Sequence, residues 1–175
     1  GRIQPRKNLA RLATAFAYLL PRHPEMRLVL AGPTGWMAEP IRARIQGLGL
    51  ERQIILPGYI EEADKAALIS AATFVAYPSL YEGFGFPALE AQACQVPLLA
   101  SNTSSLPEVV GAGGLLVDPK NTPAMADAMQ RLVEDKGLRK RLIARGRENL
   151  ARFDWSKTAQ QVASIIEAVY QEDLG

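Results

Sequence analysis

Residues 73–94 read Thr-Phe-Val-Ala-Tyr-Pro-Ser-Leu-Tyr-Glu-Gly-Phe-Gly-Phe-Pro-Ala-Leu-Glu-Ala-Gln-Ala-Cys. The apolar run Phe74, Val75, Ala76, Tyr77 has the length and composition of a short buried strand. Pro78 stops it, and Pro87 stands where a helix takes its first residue. The segment therefore predicts strand, loop, helix. Gly83 and Gly85 let the loop approach a ligand and turn its N–H groups toward one point in front of the helix, which outlines an anion site. Glu82 lies in that loop at the carboxyl end of the strand, placed to accept hydrogen bonds from ligand hydroxyls or to be solvated there. Glu90 is expected in the first helical turn, where the dipole favours a carboxylate by about 0.3–1 kcal/mol; a ligand contact and a plain helix-start residue fit equally.

The same unit recurs on both sides. Upstream, Met26 to Ala31 reads as a strand, Gly32-Pro33-Thr34-Gly35 as a turn, and Trp36 to Leu48 as a helix ended by Gly49. The two glycines lack the Lys-Ser/Thr of a P-loop and the third glycine of a dinucleotide fingerprint. Gln53 to Leu56 is the next strand, followed by Pro57-Gly58-Tyr59 and a helix from Glu61 to Ala72 with Leu68 and Ile69 inward. Downstream, Val96 to Ala100 and Gly114 to Val117 are strands. Between them Ser101-Asn102-Thr103-Ser104-Ser105 forms a polar loop, whose serines are expected to cap the turn beginning at Leu106 more than to approach a ligand. Alternating strands and helices give an α/β, doubly wound, Rossmann-like parallel sheet in one domain spanning 1–175.

At the start of the chain, Arg2 and Lys7 flank Pro5, and Asn8 starts a helix with Leu9, Leu12, Ala13, Phe16, Leu19 and Leu20 at helical spacing. Cations beside a helix N-terminus are mildly unfavourable. Their presence points to an anion such as a diphosphate in front of them, the alternative being a basic surface turn. His23 is expected in solvent. At the other end, 121–134, 137–147 and 156–171 read as helices, the last with a stripe of Trp155, Val162, Ile165, Ile166, Val169 and Tyr170 meant for packing.

A formal net charge of +2 is too small for a nucleic-acid surface, and the cluster Arg139, Lys140, Arg141, Arg145, Arg147 reads as a solvated helix face. No apolar run approaches the ~20 residues of a membrane span. The single cysteine, Cys94, has no internal disulfide partner and reads as a buried structural thiol in a reducing compartment.

Glu82 and Glu90, with seven residues between them in S-L-Y-E-G-F-G-F-P-A-L-E-A, resemble the E-x7-E motif of the retaining GT-B glycosyltransferases of family 4. Gly1-Arg2 followed by Lys7, and S-S-L-P-E-V at 104–109, are similar to further motifs of that family. The resemblance implies that Glu82 orients the donor sugar through its hydroxyls, and that the backbone of Gly83, Phe84 and Gly85 cradles sugar and diphosphate. It gives Glu90 the ribose hydroxyls, Arg2 and Lys7 the phosphates, and the turn at Tyr59 and Ile60 the base. It implies no metal and no cofactor beyond the nucleotide-sugar substrate.

The resemblance also implies the C-terminal half of a GT-B fold. An acceptor-binding N-terminal domain would precede it, the first central strand would end near Gly1, and the final helix would cross back to brace that domain, leaving part of its apolar stripe exposed here. The fragment alone would then be inactive, its sheet left with a gap between 28–31 and 74–77 that could invite self-association. The stretches 31–36 and 101–108 look most like mannosyltransferases of bacterial polysaccharide synthesis, favouring GDP-mannose over UDP-sugars and a cytoplasmic protein, with a peripheral membrane position open for the full-length chain. A nucleotide-sugar-binding module without transfer, and a GT-B nucleotide-sugar epimerase, are the alternatives. Gln92 and Gln95 depart from the methionine and glycine common in the family, which puts helix packing in question.

Overall fold

The computed structural model describes residues 1–36 and 38–172. Among these, β1 (Leu28–Val29) pairs in parallel with β2 (Ile54–Ile55), Leu28 opposite Ile54. β3 (Val75–Tyr77) pairs in parallel with β4 (Leu98–Ser101), which pairs with β5 (Gly114–Val117). Leu98, Leu99 and Ala100 are fully buried, so β4 reads as an unbroken apolar run, as a central parallel strand does.

The strands make two sheets, with no ladder between β1 and β3. Between their facing edges lies a cavity of about 740 Å³ lined by residues 28–31 on one side, 74–77 on the other, and Leu12 and Phe16 of the first helix. The order β2-β1-gap-β3-β4-β5 is that of the expected doubly wound sheet with its central position open.

Helix α1 (Leu9–Leu19) buries Leu12, Ala13, Phe16 and Leu19, the positions its spacing predicts, and packs on α6 (Thr122–Glu134), which contributes Met125, Met129 and Leu132. Asn121 starts α6 by accepting the Ala124 N–H, and Asp135 starts α7 (Lys136–Leu150) by accepting that of Leu138. Each such cap contributes roughly 1 kcal/mol. Arg139 donates to the Leu132 and Val133 carbonyls that end α6, both at 2.7 Å, while Lys140, Arg141, Arg145 and Arg147 face solvent.

Several expectations shift. Helix α2 runs Glu39–Gly47, later than 36–48, because Pro40 fits only a first turn and Thr34 is committed to a bridge with Ile3; Met37, inside the expected span, lies outside the described residues. In α3 (Glu62–Ser70), Leu68 and Ile69 are half-buried and line the cavity. His23 is not in free solvent: its side chain is 18% exposed, with Nε2 3.2 Å from Glu134 Oε1. Cys94 is half-buried at the C-cap of α4 (Phe86–Ala93) rather than inside its apolar face. Along α8 (Trp155–Glu172) every member of the predicted stripe is more than half exposed, so the packing read from its spacing is absent among the described residues and the exposure that the resemblance implies for part of it extends to the whole stripe.

Gln92 is resolved by a polar partner. It is buried on α4, its Nε2 donates to the Val110 carbonyl at 2.9 Å, and its Oε1 accepts from Asn149 Nδ2 at 2.9 Å. Asn149 Nδ2 also donates to the Val109 carbonyl at 2.8 Å, so one amide pair ties α4 and α7 to α5 (Leu106–Val110). Asn149→Ala strands the Gln92 oxygen and should lower unfolding free energy by about 1–3 kcal/mol. Gln92→Met with Asn149→Leu removes the stranded oxygen but leaves the Val109 carbonyl without its Asn149 donor, so it should recover only part of the loss; urea unfolding followed by circular dichroism measures both.

Candidate active site

Residues 1–8 carry the chain past both sheets. Ile3 exchanges backbone bonds with the segment after β1, donating to Pro33 O at 3.0 Å and accepting from Gly35 N at 2.9 Å. A Cβ on Gly35 would stand 2.5 Å from Ile3 O, so this approach requires the glycine. Pro5–Lys7 then form one 3₁₀ turn, and Asn8 takes a left-handed φ of 59°, which asparagine tolerates better than most residues. Its side chain does not cap α1. Instead Nδ2 donates to the buried carbonyls of Pro78 (3.1 Å) and Pro119 (2.7 Å), fixing this segment against the loop after β3.

That placement sets two cations on Glu82. Lys7 Nζ donates to Oε1 at 2.7 Å and Arg6 to Oε2 at 2.5 Å, with Arg6 also reaching the Tyr81 carbonyl. Lys7 also donates to the Tyr77 hydroxyl at 2.8 Å. Glu82 is only 7% exposed. Burial alone would raise its pKa, but the hydrogen bonds from Lys7 and Arg6, aided by the nearby Ser79 and Tyr77 hydroxyls, outweigh it and hold the group at about 2. Burial first, and then the Glu82 carboxylate, push the Tyr77 phenol up.

The serines expected to cap α5 brace this loop instead. Ser104 Oγ accepts the Glu82 N–H at 3.0 Å, and Ser105 Oγ lies 2.9 Å and 2.6 Å from the carbonyls of Glu82 and Phe84, to which its one proton is shared. No side-chain cap forms at α5. The competing bonds exist because the loop carbonyls would otherwise be unpaired.

Gly85, at φ 115°, begins α4, and a Cβ there would meet Leu106 Cδ2 at 2.7 Å. Gly83 is open, with space for a side chain. The α4 N-terminus carries no side-chain cap, which leaves first-turn N–H groups for a ligand. Phe84 is partly exposed and packs on Phe86, ring centroids 4.8 Å apart. Because α4 starts at Phe86, Glu90 is its fifth residue and not in the first turn, so the dipole argument for it does not apply. A different charge holds it: Lys65 of α3 donates to Glu90 Oε1 at 2.9 Å and to Glu62 Oε1 at 2.7 Å.

Arg2, Lys7, Tyr59, Ile60 and Glu90 all line the cavity between the two sheets. Glu82, Gly83, Phe84 and Gly85 lie outside that lining and join it through the Lys7 side chain. Arg2 pairs with no carboxylate among the described residues. Sequence reasoning ranked Arg2 and Lys7 above Arg6 and passed over Lys65. The signals were a 3₁₀-forming Pro before Arg6-Lys7, and Glu62 three residues before Lys65 on one helix face. Arg2, Arg6, Lys7 and Lys65 stand against three carboxylates, Glu62, Glu82 and Glu90, which leaves one positive charge in excess, Arg2 being the cation without an acidic partner among the described residues.

The family model described as glycosyl transferases group 1 matches residues 1–149. The O-antigen chain mannosyltransferase B of Escherichia coli is 38% identical over 92% of this chain and 42% of its own length. Among solved structures, the sucrose-phosphate synthase from Thermosynechococcus elongatus superposes with a TM-score of 0.85 at 31% identity, covering 98% of this chain and 44% of that one. Anabaena HepE in complex with UDP and glucose superposes with a TM-score of 0.84 at 26% identity, covering 95% and 46%. The chain spans less than half the length of each of these proteins. With the family model covering most of its residues, the chain belongs to the group 1 glycosyl transferases.

Proposed function

We propose that this chain is the donor-binding half of a retaining GT-B glycosyltransferase that moves a hexose from a nucleotide-sugar to an acceptor, with GDP-mannose as the favoured donor. The observation that carries the reading is the cavity on which Arg2, Lys7 and Glu90 converge, with Glu82 pinned behind Lys7. A relative named a mannosyltransferase supports the sugar, and a neighbour solved with UDP and glucose supports a nucleotide-sugar in this fold. A cytoplasmic setting belongs to the same reading, supported by the unpaired thiol of Cys94.

Arg2, Lys7 and the uncapped N–H groups at Gly85 then face the diphosphate. As the bond to the sugar breaks, charge gathers on the departing phosphate, and donors already aimed at it stabilise that state without reorganising. Glu90 accepts ribose hydroxyls, Gly83 and Phe84 present backbone to the sugar, and Tyr59 and Ile60 flank the base. Glu82 orients the sugar and does not attack it. Both its oxygens are engaged by cations, a state unsuited to a nucleophile, though each retains a lone pair for a sugar hydroxyl.

Glu90→Ala should weaken binding of GDP or UDP by one to two decades, each charged hydrogen bond contributing about 1.5–3 kcal/mol. Glu82→Ala should mainly erase the preference for the nucleotide-sugar over the bare nucleotide. Titration calorimetry with GDP, GDP-mannose, UDP and UDP-glucose reads both, and absence of binding by wild type at millimolar nucleotide would refute the reading.

The Glu82 carboxyl, held at about 2 against an ordinary 4.5, contributes stability that is complete above pH 4.5 and lost as pH falls through 2. Glu82→Gln should therefore flatten the acid limb of the stability curve between those values, measured by urea unfolding at stepped pH.

The partners in this reading are a domain that supplies the acceptor side of the cleft and a strand that fills the slot between β1 and β3. The 175 residues alone should bind donor yet transfer no sugar. At high concentration they should associate through the open edges, which light scattering after gel filtration would detect. Transfer by this chain without an added domain would refute the division of labour.

A further inference from the structure

Lys65 stands out among the groups that the proposed function does not use. It lies on α3 and lines the same cavity as Lys7, and its ammonium is shared between Glu62 Oε1 at 2.7 Å and Glu90 Oε1 at 2.9 Å. Glu62 is largely exposed, whereas the Lys65 and Glu90 side chains are each about one-third exposed, at 34% and 33%. The hydrogen bonds to Glu62 and Glu90 raise the Lys65 pKa to about 12.

The geometry is one-sided. Lys65 takes Oε1 of Glu90, and no other side chain or backbone donor reaches the carboxylate among the described residues. Oε2 has no hydrogen-bond partner among the described residues, so it keeps its lone pairs for a ligand, and Glu90 is among the residues that line the cavity. A glutamate on a helix surface with three free torsions would sample many rotamers, most of them facing solvent. A fixed cation on the neighbouring helix selects the rotamers in which one oxygen is held and the other is offered. Glu62, one turn back on the same helix as Lys65, selects the Lys65 rotamer in the same way.

We infer that Lys65, itself braced by Glu62, is a positioning residue that presents Glu90 Oε2 to a vicinal pair of ligand hydroxyls, the ribose diol of the donor nucleotide. The inference rests on the proposed role of Glu90. It adds a specific dependence: the contribution of the ribose hydroxyls to affinity requires the Lys65 cation, although Lys65 itself need not touch the nucleotide.

The experiment measures dissociation constants of GDP and UDP, and of their 2′-deoxy and 3′-deoxy counterparts, for wild type, Lys65→Met and Lys65→Arg. Lys65 is on the surface, and matching thermal unfolding of the three ligand-free proteins verifies that each folds. Wild type should lose roughly tenfold in affinity when a contacted hydroxyl is removed. Lys65→Met should weaken the ribonucleotide roughly three- to tenfold and lose little more on its deoxy form, while Lys65→Arg restores most of the hydroxyl preference. If Lys65→Met binds ribonucleotide like wild type, or weakens ribo and deoxy forms by the same factor, the positioning role is wrong while the donor site stands. If wild type binds neither GDP nor UDP, the reading of Glu90 fails and this inference with it.

Discussion

The two sheets of this chain share no hydrogen-bonded ladder, and the first eight residues supply a polar connection between them. Gly1 donates to Ala31 O and Ile3 pairs with Pro33 and Gly35 on the β1 side. Three residues further on, Arg6 O accepts from Leu80 N, Asn8 holds Pro78 O, and Lys7 and Arg6 close on Glu82, all on the β3 side. The link is strong because it is buried and mutually dependent. A carboxylate 7% exposed cannot stay ionised without its cations, and removing one partner of such a group commonly costs about 3–5 kcal/mol. The fold thus spends its best electrostatics where its backbone pairing is interrupted.

The strap also explains why the cavity is charged at one end and apolar in its interior. Between β1 and β3 the lining is Leu28, Leu30, Val75 and Ala76 with Leu12 and Phe16, a continuous apolar surface. At the end where the strap crosses, the lining becomes Arg2 and Lys7, with Lys65 and Glu90 approaching from α3 and α4. The loops at the carboxyl ends of the strands are free of ladder demands and can carry these polar groups, while Glu25 and Arg27 at the amino end of β1 add charge at the other end of the cavity.

Much of this was legible because it rests on short-range rules. The alternation of strand and helix, the stop at Pro78, the buried face of α1 and the special backbone at Gly85 follow from periodicity and from which residues tolerate which dihedral angles. What escaped was tertiary choice among polar partners. Ser105 could cap α5 or bond the loop carbonyls, and only the position of the 82–84 loop determines that it takes the second. Asn8 could cap α1, but two buried carbonyls from distant segments compete for its amide. The motif singles out Lys7 and leaves Arg6 aside, yet the 3₁₀ turn aims both at one carboxylate. The α8 stripe was legible as a stripe, but its exposure depends on what lies against it, which no periodicity encodes.

The spacing of the two acids has a structural consequence that the motif itself does not state. Eight positions separate Glu82 from Glu90, and the chain crosses from an irregular loop into the second turn of a helix within them. One carboxylate is thereby placed where the strap closes over it, and the other where a neighbouring helix leaves it open. Glu82 receives a cation on each oxygen and sits at 7% exposure; Glu90 receives one cation on one oxygen and its side chain is 33% exposed. The first is fixed in charge and position across the range in which the protein is folded, so it is suited to orienting a group that must not move. The second keeps an oxygen available, so it is suited to a group that must enter and leave. The same residue type therefore yields a permanent element and an exchangeable one, and the difference is set by how many cations the surrounding elements bring to each.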